Sequence, residues 1–434
     1  MGISSAQWKQ GFLTVACAMA LAACGGGSSD VEDITAPVDD TGEEHDDGHG
    51  HIETAGRLVV LEQDSAQVHV VELDDGSVLT SFAADNAPSA IYASPEGRYA
   101  LLFQRTQNQV QFIDGGIWLE QHGDHTHDYQ EAPALLNLRL SGVRPTHYSA
   151  HDGLGAVFFD GDASSAANAS FTLLSDASIG SGQAALASQA LRTPMHGAAE
   201  PRGDWVISSW RAADGNAPTQ VELYHLHGDH FHDEGVLDVA CPGLHGSHSN
   251  SSYTVFGCED GVLVVHQAGE SLTASKIGHG QRISTIIGNE HLATFVGLGS
   301  GGAVFEIDPA AASITAINWA EGRTHRAHAL DAEGENLLLL DEQGDLHILA
   351  TADWSKRAEI DAAIADMPAA APYPAFAASG AQDKVWLSDP QGQKLHLIHM
   401  ADAELEGSIP LNFKPTGVVW LGMAAHEHED EHEH

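Results

Sequence analysis

A single all-β propeller of about eight four-stranded blades, with seven as the alternative count, is the fold class this sequence predicts. Three observations carry that prediction. Short strand-like runs broken by turn residues fill the region from residue 56 to residue 423; a leading loop containing Pro or Gly recurs along it; and the first and last units are each incomplete in complementary ways.

The strand-like runs come first. Arg57–Leu61, Val68–Leu73, Ala100–Gln104, Val110–Ile113, Ala156–Phe159, Trp205–Ser209, Val221–Tyr224, Val262–His266, Leu337–Leu340, Lys384–Leu387 and Leu395–Ile398 are rich in β-branched and other apolar residues. Gly, Asp, Asn and Pro separate them, as expected of strands joined by tight turns. Helical periodicity is scarce; a short helix is expected only around Trp354–Ala365.

The repeat follows. Ala87-Pro88-Ser89-Ala90, Arg144-Pro145-Thr146-His147, Thr193-Pro194-Met195-His196 and Pro242-Gly243-Leu244-His245 occupy one register. Ile277-Gly278-His279-Gly280, Gly322-Arg323-Thr324-His325, Ala371-Pro372-Tyr373-Pro374 and Lys414-Pro415-Thr416-Gly417 continue it. The mean step is close to the roughly 40–45 residues of a propeller blade. After the last loop only Gly417–Leu421 reads as a strand, while the unit beginning at Arg57 lacks an innermost strand. Closure by the C-terminal strand joining the first blade removes an open sheet edge. A pair of two-sheet sandwiches is the competing arrangement.

The ends of the chain read differently. Lys9, an apolar run from Phe12 to Leu21 and Leu21-Ala22-Ala23-Cys24 form a signal peptide over residues 1–23, too short to span a bilayer. The Leu-Ala-Ala-Cys ending resembles a lipobox, which makes Cys24 the lipidation site. Residues 24–55 are a flexible acidic tether with His45, His49 and His51, and residues 424–434 an acidic tail with His426 and His428. Removal of the signal and lipidation of Cys24 leave Cys241 and Cys258, a pair suited to a disulfide in an oxidising compartment. A cysteine-containing metal site is the rival, though the spacing fits no zinc finger.

Composition then points to metal. The chain has 61 acidic against 18 basic residues and 28 histidines. Such a surface repels nucleic acid and anionic lipid and attracts cations. Neutral imidazole is a ligand for zinc, copper and nickel, and composition does not choose among them. His147, His196, His245 and His325 share one position of the repeat, with His279 close to it, so a propeller brings them around one axis. Zinc needs three or four N, O or S ligands. Each histidine hydrogen-bonding within its own turn is the alternative.

A heptapeptide used twice adds further candidates. His122-Gly123-Asp124-His125-Thr126-His127-Asp128 is echoed by His227-Gly228-Asp229-His230-Phe231-His232-Asp233. Both read as hairpins joining the two outer strands of a blade, on the face opposite the leading loops, with His151 and Asp152 in a turn on that same face. His122, Asp124, His125 and His127 form a second candidate metal set. His227, His230 and His232, like the histidines of the tether and tail, are candidates for looser capture. Catalysis finds little support: the chain has no Gly-x-Ser-x-Gly elbow or phosphate-binding glycine loop, and Gly299-Ser300-Gly301-Gly302 reads as a turn.

Several segments resemble the AztD-type periplasmic zinc metallochaperones. They are Gly56-Arg57-Leu58-Val59-Val60, His122-Gly123-Asp124-His125, Arg144-Pro145-Thr146-His147, Phe158-Phe159-Asp160-Gly161, Cys241-Pro242-Gly243-Leu244-His245-Gly246 and Gly257-Cys258-Glu259-Asp260-Gly261. The resemblance implies a propeller that binds Zn²⁺ in the periplasm and hands it by direct contact to the solute-binding protein of an ABC importer. It also implies a disulfide fixing the strand beside His245. The lipobox departs from that pattern and predicts a version tethered to the envelope by a lipid anchor; a monomer is expected. Gly25 after Cys24 favours the outer membrane over the inner. The sequence on its own leaves two other functions open: a metal-dependent propeller enzyme and an envelope interaction scaffold.

Overall fold

The computed structural model describes residues 52–122 and 125–425, with side chains of 121, 122 and 125 outside that description. The signal segment, Cys24, His45, His49, His51, Asp124, His426 and His428 therefore lie outside the described residues, as do the side chains of His122 and His125.

Eight four-stranded antiparallel sheets form the eight blades of a β-propeller. Every leading loop of the repeat delivers the innermost strand of a blade. These strands are Ala90–Ala93 in blade 2, Pro145–His151 in blade 3, Ala199–Arg202 in blade 4 and Ser247–Ser249 in blade 5. Ile283–Ile287, His325–Leu330 and Phe376–Ala378 follow in blades 6, 7 and 8. Blade 1 takes its innermost strand, Pro415–Leu421, from the far end of the chain, pairing Leu58 with Trp420 and Val60 with Val418. The expected closure is thus present. A Cβ on Gly56, whose φ is +84°, would lie 2.5 Å from the Trp420 indole nitrogen, so glycine is required where the two ends meet.

Packing explains why the middle strands read as unbroken apolar runs. Both faces of a blade are covered by its neighbours, so Leu337, Leu338, Leu339 and Leu340 are all fully buried, two towards each side. Eight apolar clusters fill the eight seams. One joins Leu338 and Leu340 of blade 7 to Val385 and Leu387 of blade 8, and the closing seam joins Leu58 and Val60 of blade 1 to Trp386 and Leu395 of blade 8. Outer strands are half-covered and alternate, as Ser271–Gly278 does.

Two expectations need correction. Residues around Trp354–Ala365 form no helix: Lys356–Ile360 is the outer strand of blade 7, paired with Leu346–Ala350, and tertiary pairing overrides the local helical pattern. The one α-helix among the described residues is Asp176–Gly180, capped by Ser175 in blade 3. The first histidine heptapeptide also does not join outer strands. Ile117–His122 and His125–Gln130 form a separate two-stranded hairpin, inserted before the outer strand Ala134–Ser141 of blade 2. Trp118 stacks on Tyr129 at 4.9 Å and Arg98 of blade 2 lies 3.6 Å over Trp118, which holds the insertion against its blade. The second copy does join the outer strands Gln220–His227 and His230–Val236 of blade 4.

Candidate metal centre

Three adjacent blades place His147, His196 and His245 at one mouth of the central channel. His147 lies within the innermost strand of blade 3, just after an irregular pairing between Pro145 and His147; His196 and His245 sit in the loops leading into blades 4 and 5. The Nε2 of His196 is 3.1 Å from that of His147 and 3.2 Å from that of His245. One ligand atom from each of the three lies within 4.8 Å of the others. Ligand nitrogens about 2 Å from a tetrahedral zinc stand about 3.3 Å apart, so the spacing fits the ion without rearrangement of the backbone.

The remaining ring nitrogens are held as metal-ligating imidazoles usually are. His196 Nδ1 lies 3.1 Å from the Asp160 carboxylate, and His245 Nδ1 is 2.8 Å from the Ser284 carbonyl. Both contacts leave Nε2 free to coordinate. Asp160 is fixed in turn by Arg105, 2.6 Å away. Burial raises the Asp160 carboxyl, but hydrogen bonds from His196 and Thr146 and the charges of His196 and Arg105 outweigh it, and its pKa ends below the ordinary value. Desolvation, followed by the charges His196 and His245 can carry, pushes His147 down to about 4. His147 is therefore neutral and ready to bind a cation at pH 7.

Beneath the mouth, strand alternation points Ser149 and His151 the same way as His147. Glu200, almost fully buried, accepts hydrogen bonds from Ser149 at 2.7 Å, Ser247 at 2.6 Å and Ser249 at 3.0 Å. At the strand's far end His151 lies 3.2 Å from Asp152 and bonds Glu290, a second group with metal-ligand residue types. Arg202 Nη1, 3.5 Å from His151 Nε2, adds a positive charge that opposes a cation there.

The other sequence candidates are spread elsewhere. His325 belongs to blade 7, four blades of eight away from blade 3 and hence across the channel, where it neighbours Trp319 and His328. Burial lowers its pKa, and its Nε2 is enclosed without a hydrogen-bond partner among the described residues. His279 stays in its own turn, packed on Phe305 and accepting from the Gln281 amide. His127 lies on the inserted hairpin opposite Glu120. His227, His230 and His232 cluster on the outer hairpin of blade 4, together with His225. Sequence reasoning missed Asp160, Arg105, Glu200 and His225. Asp160 had a signal, a carboxylate ending the strand beside His147, whereas the Ser284 carbonyl had none.

Cys241 and Cys258 are joined in a disulfide with Cα atoms 5.0 Å apart. It ties the loop that leads to His245 to the second strand of blade 5, Tyr253–Cys258, and no cysteine thiolate remains there for a metal.

No family model matches the chain. It is 25% identical over 393 residues to the zinc chaperone AztD of Citrobacter koseri, an alignment covering 88% of this chain and 90% of that protein. Two crystal structures of Citrobacter koseri AztD, one described as apo, each superpose with a TM-score of 0.73 at 23% identity, covering 86% of this chain and 99% of theirs. The dihydro-heme d1 dehydrogenase NirN shares the fold more distantly, with a TM-score of 0.55 at 13% identity, covering 85% of this chain and 76% of that one. The resemblance to AztD-type zinc chaperones therefore holds over most of the chain, in sequence and in fold.

Proposed function

We propose that this chain is a zinc chaperone of the cell envelope, which holds Zn²⁺ at His147, His196 and His245 and passes it to the solute-binding protein of an ABC importer. The observation that carries the reading is the pair of Nε2–Nε2 separations, 3.1 and 3.2 Å, which match the ligand spacing of a tetrahedral zinc. Zinc is cargo here. Three protein ligands leave a coordination position for an incoming ligand of the acceptor, and His196 is exposed at the mouth where an acceptor can reach it. The similarity to a zinc chaperone supports binding and transfer over turnover. Lipidation at Cys24 gives a periplasmic protein anchored to the outer membrane, with the histidines of the tether and tail collecting ions loosely.

Competitive zinc titration tests this reading. Alanine at His147, His196 or His245 is expected to abolish the tight phase, because two imidazoles fall short of the three or four ligands zinc needs. Deleting tether and tail histidines is expected to lower only the number of ions bound. Unchanged titrations in all three alanine variants would refute the assignment.

A further inference from the structure

The outer hairpin of blade 4 presents four imidazoles on one face. Its register pairs His225 with His232 and His227 with His230, and alternation puts all four on the same side. That register is locked from the other side. Leu226 and Phe231 pack onto the cluster formed by Phe171, Tyr224 and Val206, with Phe171 and Phe231 ring centres 5.0 Å apart. A slip by one residue would bury the histidines and expose Phe231. His225 is further held by stacking on Trp205 at 4.3 Å.

We propose that His225, His227, His230 and His232 form a second transition-metal site, which takes a borderline divalent ion such as Zn²⁺ directly from solvent. The Nε2 atoms of His230 and His232 are 3.2 Å apart, the same ligand spacing as at the channel mouth. His227 faces His232 with ring centres 4.4 Å apart and lies equally close to His225, so a change of side-chain rotamer brings a third imidazole to the ion. Asp229 accepts from His230 Nδ1 at 3.3 Å, which leaves Nε2 facing His232. Nitrogen donors alone favour zinc, copper or nickel over magnesium or calcium. Because the hairpin joins third and fourth strands, it lies on the face opposite the leading loops, so the two sites cannot share one ion. The open, solvated setting makes this the faster-exchanging site. It stands or falls independently of the channel mouth.

The test uses the full chain, zinc chloride and a His227→Asn/His232→Asn variant; both side chains are exposed, so the fold is not at risk. Zinc-edge anomalous diffraction of the loaded protein is expected to show an ion about 2 Å from at least three of the four imidazoles. Competitive titration is expected to show the variant binding about one ion fewer, with the tightest phase unchanged. Equal stoichiometry in parent and variant, or no anomalous peak at the hairpin, would overturn the proposal. An absent peak at His147, His196 and His245 would instead count against the channel-mouth reading alone.

Discussion

Asp160 provides the sharpest test of how the channel mouth is organised, because it touches the middle ligand without being one. Its carboxylate lies 3.1 Å from His196 Nδ1, and His196 is the imidazole that neighbours both others. Two substitutions separate its two contributions. Asp160→Asn keeps an oxygen that can accept the Nδ1 proton and so preserves ring orientation, but removes the negative charge beside the ring. Asp160→Ala removes both. Loss of such an outer partner generally costs 10- to 100-fold in metal affinity, about 1.4 to 2.8 kcal/mol. The asparagine variant is expected near the lower end and the alanine variant near the upper. Competitive zinc titration of the three proteins measures this, since the tether and tail histidines are common to all and cancel. A thermal melt of each controls for lost packing around Arg105, which also pairs with Asp160. If both variants bound zinc within about two-fold of the parent, short of the expected loss, the argument that Asp160 sets the His196 tautomer would fail. His245 allows no such experiment, because its anchor is the Ser284 backbone carbonyl.

Three further predictions concern stability. His147 titrates near 4 in the fold against about 6.5 when unfolded, so its contribution is full above about pH 6.5 and is lost as pH falls towards 4. His147→Gln is expected to lose less stability than the parent between pH 7 and pH 4.5, read from urea midpoints; parallel losses would contradict it. Buried Arg202 donates to the carbonyls of Asn250, Ser251 and Tyr253; Arg202→Met removes these donors, and only the Tyr253 carbonyl keeps another, the Asn250 amide. A cost of about 3 kcal/mol is expected, a fall of about 4 °C in Tm by calorimetry. Replacing Cys241 and Cys258 together with alanine opens a loop closed over a separation of 17 residues and should cost about 3 kcal/mol in denaturant unfolding.

Much of this protein was legible before its structure. The leading-loop repeat located all eight innermost strands, because a propeller blade imposes the same turn at the same place each time. Closure was readable from one strand missing at the start and one left over at the end. The shared repeat position of His147, His196 and His245 anticipated their convergence, since equivalent positions of a closed ring face a common axis.

Tertiary structure decided the rest, for a physical reason in each case. A repeat register orders positions along the chain but carries no angle around the ring, so His325 looked equivalent to the other three until the count of eight put its blade opposite blade 3. Two nearly identical heptapeptides took different places: the hairpin holding His122 and His125 pairs only with itself, around a Trp118–Tyr129 stack covered by Arg98 of blade 2, whereas the other pairs within blade 4. Asp160 and the Ser284 carbonyl became partners of the site only through contacts across the seams between blades. Sequence alone determined which residue types could hold a metal and how the strands recur; the distance between one imidazole nitrogen and the next exists only once the ring has closed.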